Sequence, residues 1–224
     1  MTISSPPRRG GQAAPHRQPA LSTALVLAVV AVLVLAAAVV ALRARGESSS
    51  SGVQGSGVAA TQSRHLARFS RLDLAGSNNV TVVVGGRQSV VVHADSNLVR
   101  YVTTRVVAGT LVIGTTGSFT TRSPMGVEVS VPSLAAVTLS GSGVLSTSGT
   151  VTRLDASVGG SGLAQLTDLV ARDVQAVVTG SGLIRVTATA SLNAAVPGTG
   201  AIVYSGNPPR VTSSVTGTGA VTRG

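Results

Sequence analysis

The chain has no cysteine, no lysine and no tryptophan, and only two phenylalanines and two tyrosines in 224 residues. Without cysteine there can be no disulfide, no thiol nucleophile and no cysteine-ligated metal, although export from the cell remains compatible with the composition. Aromatics make up 2% of the residues, so an interior must be built from Val, Leu, Ile and Ala, which suits a narrow, repetitive core. Acids are scarce as well: seven Asp and Glu stand against 17 arginines, a formal charge of +10. Exclusive use of arginine beside abundant Ala, Gly and Val fits a GC-rich bacterial genome. A nucleic-acid binder would need a basic stripe with stacking aromatics on its folded part. Residues 72–224 carry nine arginines against six acids and almost no aromatics, so no nucleic-acid partner is expected.

What is present begins with an apolar run, ALSTALVLAVVAVLVLAAAVVAL, Ala20 to Leu42, 23 residues without a charge. As a helix rising 1.5 Å per residue it spans roughly 35 Å, enough for a hydrocarbon core of roughly 30 Å. It is longer than the 7–15 residues typical of a signal-peptide core, so the expectation is an uncleaved single-pass anchor in the lipid bilayer. Arg8, Arg9 and Arg17 precede the run, and the positive-inside rule then places the tail, residues 1–19, in the cytoplasm and the C-terminal domain outside. The tail is Pro-, Gly- and Arg-rich and is expected to be disordered. Residues 43–63, rich in Ser and Gly, read as a flexible linker that includes Gly55-Ser56-Gly57.

Beyond the linker a glycine triplet recurs: Gly141-Ser142-Gly143, Gly160-Ser161-Gly162, Gly180-Ser181-Gly182, Gly198-Thr199-Gly200 and Gly217-Thr218-Gly219. The first glycines are 19, 20, 18 and 19 residues apart. Two residues before each triplet stand Leu139, Val158, Val178, Val196 and Val215, and four before it Val137, Ala156, Ala176, Ala194 and Ser213. The sites between are mostly polar or small, the period-2 signature of a half-buried strand written five times in register. A period near 19 is too short for a helix pair and fits one coil of a β-solenoid. The expected fold is all-β, a parallel β-solenoid (β-helix) of about 19 residues per coil over residues 64–224. The ten triplet glycines are its corners, required by positive φ or by tight approach between coils. They are not phosphate loops: a dinucleotide fingerprint needs a third glycine, and the phosphate-loop lysine is missing.

Residues 64–126 differ from the repeats of 127–224. VTVVV (80–84), SVVVHA (89–94) and RVVAGTLVIG (105–114) read as strands, with a hairpin turn at Ala108-Gly109. This part is expected to pair with the first coil and protect that end.

From RLDLAGSNNVTVVV through the GSG and GTG units to YSGNPPRVTSSVTGTGAV, the chain resembles the bacterial autotransporter-adhesin head domain of the GIN type, over roughly residues 66–223. The resemblance implies an exported β-solenoid at the cell surface, carries no catalytic residues, and comes here without the outer-membrane barrel of a true autotransporter.

Few residues offer chemistry. His65 and His93 lack spaced partners, so no metal or other cofactor is expected. Asp168, Arg172 and Asp173 form the densest charge group and are read as a solvated loop, because partner acids do not recur in neighbouring units. There is no Gly-x-Ser-x-Gly elbow for an esterase. Asn79-Val80-Thr81 matches a glycosylation sequon, of use only in a eukaryotic secretory pathway. The resulting expectation is a non-enzymatic surface binding or adhesion module whose partners are cell-wall glycan or surface protein, with self-association left open. A carbohydrate-active enzyme would need a cleft of paired carboxylates, and an envelope-assembly protein would form filaments.

Overall fold

The computed structural model describes residues 52–224; the apolar run of residues 20–42 lies outside them. Among the described residues no helix is long and apolar enough to cross a membrane. The chain is all-β. Its strands are β1 (Val53–Gln54), β2 (Ala59–Ser63), β3 (Arg71–Leu74), β4 (Asn79–Val84), β5 (Ser89–Asp95), β6 (Val102–Val107), β7 (Thr110–Thr115) and β8 (Phe119–Thr120). There follow β9 (Gly126–Val131), β10 (Ala136–Leu139), β11 (Val144–Val158), β12 (Leu163–Val178), β13 (Leu183–Val196), β14 (Ala201–Ser205), β15 (Arg210–Val215) and β16 (Ala220–Arg223). Among the described residues the one helical element is a single 3-10 turn, Val99–Tyr101. Fourteen strands form one strongly curled sheet, while β1 and β8 pair separately.

From β10 onward every pairing is parallel and joins equal positions of successive units: Leu139 to Val158, Val158 to Val178, Val196 to Val215. Parallel sheets usually bury both faces. This one buries a single face, and so its strands alternate, as in the sequence pattern. Along β12 the inward residues are Ala164 and Leu166, then Leu169 and Ala171, then Val174, Ala176 and Val178, all essentially inaccessible. The two steps of three residues are bends, where the pairing register also shifts. Each of β11 to β13 therefore turns along its own length. Equal inward positions stack into apolar columns such as Leu145–Ala164–Ile184–Ile202. Burying each large aliphatic side chain contributes about 1.5–3 kcal/mol, and the alanine column Ala156–Ala176–Ala194 fits where the interior is narrow.

The triplets connect consecutive strands, and none of their glycines has positive φ. Close approach is the reason for them. A Cβ on any of the ten would stand closer than 3.0 Å to a backbone oxygen of the neighbouring layer, such as Gly160 O above Gly180 or Gly180 O above Gly198. The same peptides bond across the layers, with Gly182 N donating to Gly160 O and Gly200 N to Gly180 O, each at 3.1 Å.

Two boundaries differ from the sequence reading. The stacking begins before residue 127: β3 and β4 form a layer in register with β10 and β11, pairing Leu74 with Leu139 and Val80 with Leu145. Gly76-Ser77-Asn78 is its corner, and the chain then detours through β5 to β9 before resuming at β10. β7 and β9 lie on the far side of that layer, and β6 and β2 are antiparallel edge strands beyond them. The expected hairpin is present, with Ala108 at φ 46 and Gly109 at φ 74 between β6 and β7. The second difference is the linker. Its residues from 52 onward belong to the fold: β2 pairs with β5, a Cβ on Gly55 would run into Asp95, and Gly57 sits at φ 75.

Candidate binding face

The parallel register turns isolated polar residues into rows. On the side formed by β10, the last parts of β11, β12 and β13, and β15, one outward row runs Asp155–Gln175–Asn193–Thr212. A second runs Arg153–Asp173–Ser191–Arg210. Asp173 accepts a hydrogen bond from Ser191 Oγ at 2.6 Å and lies 3.8 Å from Arg172 Nε. Arg153 Nε lies 3.5 Å from Asp155 Oδ1, with both side chains half exposed or more. Two shallow hollows, of about 140 and 240 Å³, lie along the rows and share Gln175. The result is a flat face of amides, hydroxyls and compensated charges on a stacked support.

Asp168, Arg172 and Asp173 lie within β12, not in a loop. Asp168 is at the bulge opposite Ser148, and a stretch in which Leu169 and Ala171 turn inward separates it from Asp173, so the three do not form one group. The acid that does accompany Asp173 is Asp155: it is opposite Gln175 and Arg153 is opposite Asp173, so the two carboxylates are diagonal neighbours. Sequence reading passed over Asp155 because it looked for recurrence at one column, whereas the pair sits across two.

His93 also gains partners that its surroundings in sequence do not reveal. Antiparallel pairing of β5 with β9 brings Glu128 Oε2 to 3.4 Å from its Nε2, and β2 brings Thr61 Oγ1 to 3.2 Å from Nδ1. His65 is exposed. Among the described residues no three His, Cys, Asp or Glu side chains come together as a metal site. Asn79 of the sequon starts β4 between two partner strands.

Asp95 had no sequence signal at all. It is fully buried, and its carboxylate accepts from the backbone N–H groups of Gly57 (2.8 Å), Arg122 (2.8 Å) and Ser123 (3.3 Å) and from Ser123 Oγ (2.9 Å). The Arg122 hydrogen bond, joined by those of Ser123 and Gly57, holds its pKa below the ordinary carboxylate value against the opposing effect of burial. No positive charge is needed: two loops are tied to the end of β5 by one anion and four donors.

Among solved structures, a putative adhesin from Bacteroides fragilis NCTC 9343 is 21% identical, with TM-score 0.51, covering 77% of this chain and 100% of that one. A putative adhesin from Parabacteroides distasonis ATCC 8503 is 21% identical over 77% of this chain and 99% of that one, TM-score 0.37. A putative cell adhesion protein from Clostridium sporogenes ATCC 15579 is 12% identical over 74% and 98%, TM-score 0.35. No curated protein matches the sequence. At these identities the first of the structures bears on the fold alone. The family model described as "Putative auto-transporter adhesin, head GIN domain" matches twice, over residues 68–147 and 135–208. The overlapping matches span more than half of the chain, which therefore belongs to that family.

Proposed function

We propose that this protein is a membrane-anchored, extracytoplasmic β-solenoid that binds at the cell surface and has no enzymatic activity. The anchor is the bilayer-length run Ala20–Leu42, and each repeat is one coil. The observation that carries the binding reading is the pair of outward rows through Gln175 and Asp173, since side chains fixed on stacked strands hold their donors and acceptors at a constant spacing of about 4.8 Å. Membership in an adhesin-head family supports a surface role. Against catalysis stands the charge pairing: each carboxylate of the face has a nearby arginine or hydroxyl, and the hollows are too small to enclose a sugar chain. The partner we favour is cell-wall glycan, with a surface protein as the alternative.

The test is pulldown of purified chain by isolated cell envelopes. Gln175→Ala with Asn193→Ala is expected to weaken retention at least tenfold while melting stays unchanged. Unaltered retention in the double variant would reject this face. Turnover of an envelope glycan, abolished by Asp155→Asn with Asp173→Asn, would replace the binding reading with an enzymatic one. One observation favours self-association as an added property: all six residues of β15 are exposed, Val211 and Val215 each at 43%. Such an edge pairs readily with another strand.

A further inference from the structure

A second recess lies away from the polar face, at a corner of the N-terminal layers. Four connections converge there: residues 68–70 before β3, Gly109 in the β6–β7 hairpin, residues 87–88 between β4 and β5, and residues 132–133 between β9 and β10. They line an open hollow of about 650 Å³ in which Arg68 and Arg87 are exposed, within the volume range of small-molecule sites. Its floor includes Phe69, which is buried, and its walls carry Ser70, Ser133 and two arginines, Arg68 and Arg87.

Among the described residues these two arginines have no counter-ion. Among the described residues the arginine ion pairs are Arg153–Asp155 and Arg172–Asp173, both far along the repeats, and no carboxylate lies within ion-pair distance of Arg68 or Arg87. The acids nearby are committed elsewhere: Asp73 accepts from Ser140 Oγ at 2.9 Å, Glu128 faces His93, and Asp95 is buried among its own donors. Arg71 donates to Ala108 O. The wall bearing Arg68 is fixed in place. Gln88 donates to Leu66 O at 3.2 Å and Ala67 O at 3.0 Å and accepts from Phe69 N at 3.4 Å, pinning the segment on both sides of Arg68.

We infer that this recess is an anion-binding site for a phosphate ester carried on a saccharide. Two guanidinium groups supply the planar, multi-donor geometry that phosphate oxygens match, and Ser70 and Ser133 on the same lining offer hydroxyl groups with which a sugar can hydrogen-bond. A recess of this volume requires a ligand that protrudes into it, which a soluble or polymer-borne sugar phosphate does and a headgroup lying in a bilayer plane does not. The inference rests on the surface-binding reading and adds a ligand class to it.

The experiment is titration of the full chain in neutral detergent with glucose 6-phosphate, and separately with glucose, inorganic phosphate and phosphatidylglycerol vesicles. Glucose 6-phosphate is expected to bind with a dissociation constant of about 1 mM or tighter, with glucose and inorganic phosphate each at least tenfold weaker. Arg68→Gln and Arg87→Gln should each weaken it tenfold or more, with melting unchanged, while Arg185→Gln with Arg223→Gln, which removes more charge from the distant repeats, should stay within twofold. Absence of glucose 6-phosphate binding, equal affinity for inorganic phosphate, equal loss in the distal variant, or binding to vesicles alone would each overturn the inference. If glucose 6-phosphate fails while envelope retention persists, the recess is rejected and the surface-binding reading stands. Failure of the unmodified chain to be retained by envelopes would reject that reading itself.

Discussion

Glycine serves two purposes in this fold, conformation and close approach, and the two regions weight them differently; only Gly149 (φ 123) and Gly206 (φ 91) combine both within the repeats. In residues 52–131, Gly57, Gly85, Gly109 and Gly117 have φ between 72 and 108, and each lets the chain reverse or leave a strand. In the repeats the ten triplet glycines have ordinary φ but no room for a side chain. The pairing follows the same division: all antiparallel contacts, β2–β5, β5–β9 and β6–β7, lie in the first region, and every contact after β10 is parallel. Reversal needs backbone conformations that L-residues avoid, whereas stacking needs backbones that touch. The two regions therefore tolerate different damage.

The largest effect is expected where two adjacent corners are filled at once. Gly160→Val with Gly180→Val puts side chains against the backbone oxygens of successive layers, where neither layer can yield without moving the next. Overpacking costs about 1–3 kcal/mol per site and more where the backbone must shift. Such neighbours also couple. Cooperative thermal unfolding, followed by circular dichroism, should be lost or its midpoint sharply lowered; an unchanged midpoint would mean that the corners can open.

Next in size is the buried carboxylate of the first region. The folded pKa of Asp95 is lowered, so its contribution to stability is present above the unfolded value, about 3.9, and is lost as pH falls through the folded value. Asp95→Asn should release residues 53–63, seen as faster amide exchange in β2 at neutral pH. It should also flatten the loss of stability below pH 4. Exchange confined to the repeats would break the assignment of Asp95 as the tie between the loops.

Smaller again is Gly85→Ala. At φ 108 with nothing within 4 Å of the added Cβ, it meets conformational strain and no clash, of order 1–2 kcal/mol. Smallest is Arg153→Gln, which removes an exposed ion pair worth at most about 1 kcal/mol. Chemical denaturation should separate all of these from the corner variants, and a large loss in Arg153→Gln would show that the face is part of the framework and not an addition to it.

The regions also differ in how far the sequence disclosed them. Repetition amplified the signal in the second: Leu139, Val158, Val178 and Val196 at one position outweigh any local ambiguity, and their register is the one observed. The first region has one copy of each feature. Asn78 stands where later units have glycine, which hid the corner at Gly76. Gly55-Ser56-Gly57 has a linker's composition, yet it is held by Asp95, 38 residues from Gly57. Contacts of that kind, like those between His93 and Glu128, come from pairing across distant segments and leave no local pattern. Asp155 and Asp173 were both visible as residues, but their adjacency depends on a register with an offset of 20 between Asp155 and Gln175.

The contrast between space and conformation is tested most directly by the smallest possible side chain. Unfolding free energies of Gly180→Ala and Gly109→Ala, measured in the same denaturant series, compare one Cβ in each region. At Gly180 the Cβ meets the backbone oxygens of Gly160 and Gly159, whereas at Gly109, with φ 74, its nearest neighbour is the Arg71 guanidinium at 3.6 Å. The account predicts a greater loss for Gly180→Ala, by about 1 kcal/mol or more. Equal losses, or a greater one at Gly109, would contradict it.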